Sequence, residues 1–176
     1  MKTVLFIFSQ LIFCMSISAQ NWKPTTATVD FKIRMFGLGV NGNLKGLSGT
    51  VIFDPNNLPL TNISVSVDAK TIDTDNFLRN KHLREKEEFF NVNKYPTISL
   101  KSTKVEKTTN GYIGFFDLTM KATTKNIKIP FSFVQTGNKG QFKGSATINR
   151  NDWKVGGSSM GMGDDVVLTL QLNVNQ

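Results

Sequence analysis

His82 is the only histidine in the chain, so a proton relay or a metal site built on it would have to be completed by carboxylates or a thiolate. Carboxylates occur as close pairs: Asp73 and Asp75, Glu87 and Glu88, Asp164 and Asp165. Acid–base catalysis needs two groups whose surroundings push their pKa values apart within a cleft, whereas neighbouring acids in turns and on helix faces are ordinarily hydrated. The residues around His82, in RNKHLRE, are mostly charged and supply no second ligand at metal spacing. There is no Ser–His–acid order, no glycine-rich phosphate loop at a strand-to-helix turn and no calcium-loop spacing. The expectation is a chain with no catalytic residue, no metal and no cofactor. A different chemistry is offered by Met160 and Met162 in the Gly- and Ser-rich stretch Lys154 to Asp165. Pliable thioethers suit an irregular apolar ligand at a cavity mouth, and the stretch itself reads as a long mobile loop.

Such residues must be held by a framework, and the alternation of side chains supplies one. Val29, Phe31, Ile33 and Met35 interleave with Asp30, Lys32 and Arg34, the period of two that gives a strand one apolar and one polar face. Seven more segments read as strands: residues 47–53, 63–69, 98–102, 111–118, 127–133, 142–148 and 166–174. Eight short strands separated by Gly, Asn and Pro turns predict a closed or nearly closed antiparallel sheet. Residues 74–90 break the pattern. Phe77, His82 or Leu83, and Phe89 recur there at roughly helical spacing among charges, which predicts one amphipathic helix across the barrel, N-capped by Thr74 or Asp75. Phe77, Phe89 and Phe90 would fasten it, and the turn at Asn93 to Thr97, with Pro96, would end it.

The address is written at the N-terminus. Met1, Lys2 and the apolar run up to Ala19 have the layout of a secretory signal peptide, residues 1–19, leaving residues 20–176 as a single domain. Cys14, the only cysteine, would leave with it, so the mature chain would have no disulfide and no thiol nucleophile. The formal charge of +8 is scattered, and the dense stretch RNKHLREKEE is balanced by acids, which argues against nucleic acid as a partner. It suits solubility and weak, transient attraction to a membrane surface. Oligomeric state is not readable from these residues.

An eight-stranded barrel is just wide enough to be filled by its own side chains or to hold one slender ligand. Gly46, Gly49, Gly114, Gly144 and Ala146 share frames with large apolar residues, so space is available beside Phe31, Val51, Phe53, Phe131, Phe133 and Phe142. The same glycines would also relieve curvature in a packed core, and the residues by themselves favour that packed alternative, an envelope interaction module without lipid.

The segment TIDTDNFLRNKHLREKEEFFNVNKYPTISLKST, residues 71–103, resembles the signature of the YceI-like family. The resemblance rests on Asp73 and Thr74, Asn76, Arg79, His82 and Leu83, Phe89 and Phe90, Lys94 to Thr97, and Ser102 and Thr103. Upstream VDFKIRMFGLGVNGNLKGLSGTVIFDP and downstream FDLTMKATTKNIKIPF and TINRNDW fall in the same order. Met35 and Phe36 stand where the family often has a His, and Ala122-Thr123 where a Gly-Val pair is usual. The resemblance implies an all-β, eight-stranded antiparallel, lipocalin-like barrel in the periplasm, whose lumen holds an amphipathic isoprenoid lipid such as a quinone or polyprenyl carrier. The ligand would then be met by Phe31, Ile33 and Met35, by Val51 and Phe53, and by Val65 and Val67. Ile98, Leu100, Phe116, Phe131 and Phe133 would continue the wall, followed by Phe142, Ala146 and Ile148. Phe77, Leu83 and Phe89 of the helical segment, with Trp153, Met160 and Met162, would complete the mouth.

Overall fold

The computed structural model describes residues 20–176; the expected signal peptide lies outside the described residues. Among the described residues, nine strands follow in chain order: β1 (Asn21–Met35), β2 (Leu38–Leu44), β3 (Ser48–Ile52), β4 (Asn62–Asp68), β5 (Thr97–Thr108), β6 (Gly111–Met120), β7 (Thr123–Thr136), β8 (Lys139–Asn149) and β9 (Met162–Asn175), with one α-helix, α1 (Phe77–Glu85), between β4 and β5. All neighbours are antiparallel, and β1 pairs with β9 to close the sheet. On its other edge β1 meets β2 through Val29 to Met35 and β3 through Asn21 and Trp22. β2 and β3 therefore run end to end as one stave, and the barrel has the eight staves expected.

Two departures concern this first third. β1 begins at Asn21 rather than Val29. Pro24 within it hides the strand from propensity, and its missing N–H falls where the register with β9 shifts, between Pro24 and Thr26. β2 was not anticipated, because Gly39, Asn41, Gly42 and Asn43 are weak strand formers. Gly42 is required there: a Cβ would collide with the Phe31 ring and the Asp73 carbonyl. Gly114 leaves no free space, since the Phe116 ring covers it, whereas Gly144 borders the cavity with Ile129 and Phe131 close to where a Cβ would stand.

The helix is shorter than the expected 75–90, and it is not the amphipathic element pictured. Leu83 is its one buried apolar residue, while Phe77 and Leu78 are exposed. Its N-cap is Asn76, not Thr74 or Asp75; Asn76 Oδ1 accepts from the Arg79 N–H at 2.9 Å. The chain leaves the helix at Lys86, ahead of Pro96, and folds back beneath it, with the N–H groups of Phe90 and Val92 donating to the carbonyls of Leu83 and Arg84. That reversal, rather than a longer helix, brings Phe89 and Phe90 onto the barrel; Phe77 takes no part in the attachment.

Strand direction fixes which features share an end. The start of β1, the β3–β4, β5–β6 and β7–β8 connections and the C-terminus lie at one end, which we call the base. The base is packed. Phe53 is fully buried and meets Tyr112, Phe131, Phe133 and Phe142 edge-on, at 5.0 to 5.8 Å between ring centres. Trp22 joins them, its indole N–H donating to the Phe53 carbonyl at 2.9 Å.

Candidate functional site: an apolar cavity with a polar mouth

At the opposite end the barrel is hollow. A cavity of about 510 Å³ runs down from α1 and the β8–β9 connection toward the aromatic base. Its wall comes from alternate residues of every stave, as a period of two demands. Phe31, Ile33 and Met35 contribute from β1, Val51 from β3, and Val65 and Val67 from β4. Ile98, Leu100 and Phe116 continue it on β5 and β6, and Phe131, Phe142 and Ile148 on β7 and β8. Leu83, Phe89 and Met162 border the upper part. All of these were named from the sequence.

Six of the residues expected in the site lie elsewhere. Phe53 and Phe133 are spent in the base, below the cavity floor. Ala146, on the inward face of β8 between Gly144 and Ile148, does not itself border the cavity. Trp153 is buried outside the wall, where its indole N–H donates to the Leu118 carbonyl at 3.0 Å and its ring packs with Met120, Ile148 and Val155. Phe77 and Met160 point to solvent. In the other direction, the β9 face of Val166, Leu168, Leu170 and Leu172, with Ile127 and Ile129 of β7, lines the cavity without having been named. The alternation in Val166–Val174 was a sufficient signal for the first four.

The mouth carries the polar groups. Asn76, Arg79 and His82 border the cavity from α1, and Ser159 from the β8–β9 connection. A clasp of hydrogen bonds fixes the helix start. Asn80, buried on α1, accepts from the Thr74 N–H at 2.9 Å and from the Thr74 hydroxyl at 2.6 Å, and its amide donates to Asp73 Oδ1 at 2.8 Å. Arg79 donates through Nε to the Thr74 hydroxyl at 2.7 Å and through Nη2 to the Thr74 carbonyl at 2.6 Å. The backbone of Asp73 exchanges two hydrogen bonds with Asn43 of β2, so the clasp ties helix to wall. The Asp75 N–H and the Asn80 amide, both donating to Asp73, hold its carboxyl below its ordinary pKa of 3.8. Asp73, Thr74, Asn76 and Arg79 thus have a shared structural reason for their spacing.

The β8–β9 connection is not the mobile loop expected. Arg150, buried at the end of β8, donates to the carbonyls of Gly163 (2.9 Å), Val155 (2.8 Å), Gly157 (2.9 Å) and Met162 (3.4 Å) and pairs with Asp164 at 3.1 Å. β9 already begins at Met162, so only residues 154–161 are irregular. Lys121, in the β6–β7 turn, ties two further segments together by donating to the carbonyls of Glu87 (2.7 Å) and Lys154 (3.0 Å). Its burial pushes the ammonium pKa down.

For acid–base chemistry the mouth lacks a partner: His82 borders the cavity, but no Asp or Glu lies among the described residues that line it. Among the described residues, no group of three or more His, Cys, Asp or Glu side chains converges as a metal site.

A closed antiparallel barrel, sealed at its base by aromatic rings and hollow beneath a clasped helix, is a lipocalin-like architecture. The YceI-like domain model matches residues 21–174, and the chain belongs to that family. A UPF0312 protein of Vibrio cholerae is 31% identical over 157 residues, covering 86% of this chain and 82% of its own. Among solved structures, BcnA of Burkholderia cenocepacia superposes with a TM-score of 0.78 at 22% identity, over 84% of this chain and 95% of its own. A polyisoprenoid binding domain from Saccharophagus degradans, implicated in plant cell wall breakdown, superposes with a TM-score of 0.68 at 12% identity, over 88% and 97%. At those identities the likeness is one of fold.

Proposed function

We propose that the chain binds one amphipathic isoprenoid lipid, a quinone or polyprenyl carrier, in the periplasm and stores or shuttles it between membranes. The observation that carries this reading is the cavity of about 510 Å³ with its apolar wall, within the roughly 300–1,000 Å³ usual for small-molecule sites. Water that enters through the mouth meets few polar partners on that wall, so its displacement by an apolar chain is favourable. Burying a methylene is worth ~0.8 kcal/mol, so a five-carbon isoprene unit contributes on the order of 3 kcal/mol. A few units then outweigh the loss of freedom on binding, roughly 4–15 kcal/mol. The packed-core alternative describes only the base of this barrel.

A polar end of the ligand suits the mouth. Among the described residues, neither ring nitrogen of His82 nor Nη1 of Arg79 hydrogen-bonds to another protein group, and both side chains border the cavity. They are placed to donate to a carbonyl or phosphoryl oxygen while the tail lies against Phe31, Leu168 and Ile127. The likeness to a domain described as polyisoprenoid binding supports the same ligand class, and the signal-peptide layout of residues 1–19 supports export. Titrating delipidated protein with prenols and quinones of increasing chain length tests the reading. Affinity should climb with each isoprene unit until the cavity is full and change less when the head group is exchanged. No uptake of any prenyl compound would refute it.

A further inference from the structure

Among the described residues, eight large apolar side chains stand open to solvent, and five of them are at the mouth: Phe36 (72% exposed), Leu38 (74%), Phe77 (84%), Leu78 (60%) and Met160 (88%). The other three are dispersed, Leu60 and Val134 toward the base and Val167 on the wall. Scattered exposed apolar residues need no explanation, but a contiguous group does.

The five form two arms. In the first, the Phe36 N–H donates to the Gly161 carbonyl at 2.7 Å and the Phe36 ring lies against Gly161, which places it beside Met160; Leu38 follows across the β1–β2 turn, paired with Met35. Met35 and Met162, on this side, border the cavity. The second arm is the start of α1, where Leu78 borders the cavity and Phe77 points away from it. The apolar surface is thus continuous with the cavity wall. A cation sits beside each arm: Lys81, one turn along α1 from Phe77, and Arg34, across from Gly39 next to Leu38.

We infer that this rim docks the barrel, mouth first, on a phospholipid bilayer. Phe36, Leu38, Phe77 and Met160 enter the boundary between head groups and acyl chains, as the apolar face of an interfacial helix does. Lys81 and Arg34 meet anionic phosphates. Docking rests on the exposed rim alone; the consequence for transport rests on the lipid-binding reading above. With the mouth seated in the bilayer, an isoprenoid chain moves between membrane and cavity without crossing water.

The test uses the mature chain and a Phe77→Asp, Met160→Asp double variant, whose two positions are exposed and off the cavity wall, so that folding and the cavity are retained. Flotation with phosphatidylethanolamine vesicles, with and without phosphatidylglycerol, reads docking. A short prenol added from solution reads the cavity separately. The parent should float with the vesicles, more so with phosphatidylglycerol and less so in high salt. The variant should lose at least tenfold in vesicle affinity while taking up the short prenol as the parent does. A parent that stays in the aqueous fraction, or a variant that floats equally well, overturns the inference. So does a parent that dimerises in solution, with the dimer abolished in the variant and no flotation, because the rim then belongs to a second copy. If the parent floats but neither protein takes up prenol, docking stands and the proposed ligand falls.

Discussion

Leu168→Trp separates a hollow barrel from a filled one by the sign of its effect. Leu168 is half-buried on the cavity face of β9, between Ala146 of β8 and Phe31 of β1. If the space before it is empty, an indole ring occupies void without moving its neighbours. At ~24 cal/mol per Å³ of void removed, the added atoms should stabilise the delipidated protein by about 1 kcal/mol. If the space is filled by protein, the same ring overpacks the core and destabilises it by ~1–3 kcal/mol. The ring would also take the room of about one isoprene unit, on the order of 3 kcal/mol of ligand burial, which weakens prenyl binding by about a hundredfold. Urea unfolding of parent and variant, with the slope checked for constancy, gives the first quantity, and titration with a long-chain prenol gives the second. A variant destabilised by more than about 1 kcal/mol whose prenol affinity is unchanged would refute the cavity. Ala146→Trp is the weaker experiment, because Ala146 does not itself border the cavity.

Three further outcomes follow from particular contacts. Lys121 and Ala122 both have positive φ, 47° and 57°, in a two-residue turn that favours Asn-Gly. Ala122→Gly should therefore raise stability by about 1 kcal/mol, read as a higher urea midpoint, and an unchanged midpoint would mean the turn is unstrained. The folded-state pKa of Asp73 is depressed by its hydrogen bonds, so its contribution is present above the unfolded value near 3.8 and lost as pH falls through the folded pKa. The stability gap between parent and Asp73→Asn should be constant above about pH 4 and shrink in acid; a gap that widens there contradicts the clasp. Phe89 is half-buried and touches both the Trp153 and Leu83 clusters, so Phe89→Ala should cost about 2–3 kcal/mol, against less than about 0.5 kcal/mol for a surface position.

The barrel was legible because its strands alternate: Val29 to Met35 and Phe142 to Ile148 each declare an inner and an outer face without help from tertiary contacts. β2 was not, because Gly39 and Gly42 are chosen for what lies over them, the Lys32 stem and the Phe31 ring, and that is invisible locally. The same holds for the helix. Spacing alone groups Phe77 with Leu83 and Phe89, yet the helix ends at Lys86 before Phe89, and Phe77 in its first turn is exposed. Residue type could place aromatic rings in the lumen but not sort them by depth. Phe31 and Phe142 border the void, whereas Phe53 and Phe133 close the base, and only the packing of rings around Phe53 makes that division. Arg150 carried no signal at all, since its five acceptors are brought together by the fold.

The most direct test of lipid binding is mass spectrometry of the protein purified without detergent from the cells that make it, weighed first intact under native conditions and then after denaturing extraction. The intact mass should exceed that of residues 20–176 by one lipid, and the extract should contain a prenyl chain in equimolar amount. An intact mass equal to that of the polypeptide alone, with no prenyl lipid in the extract and none taken up afterwards, would contradict it.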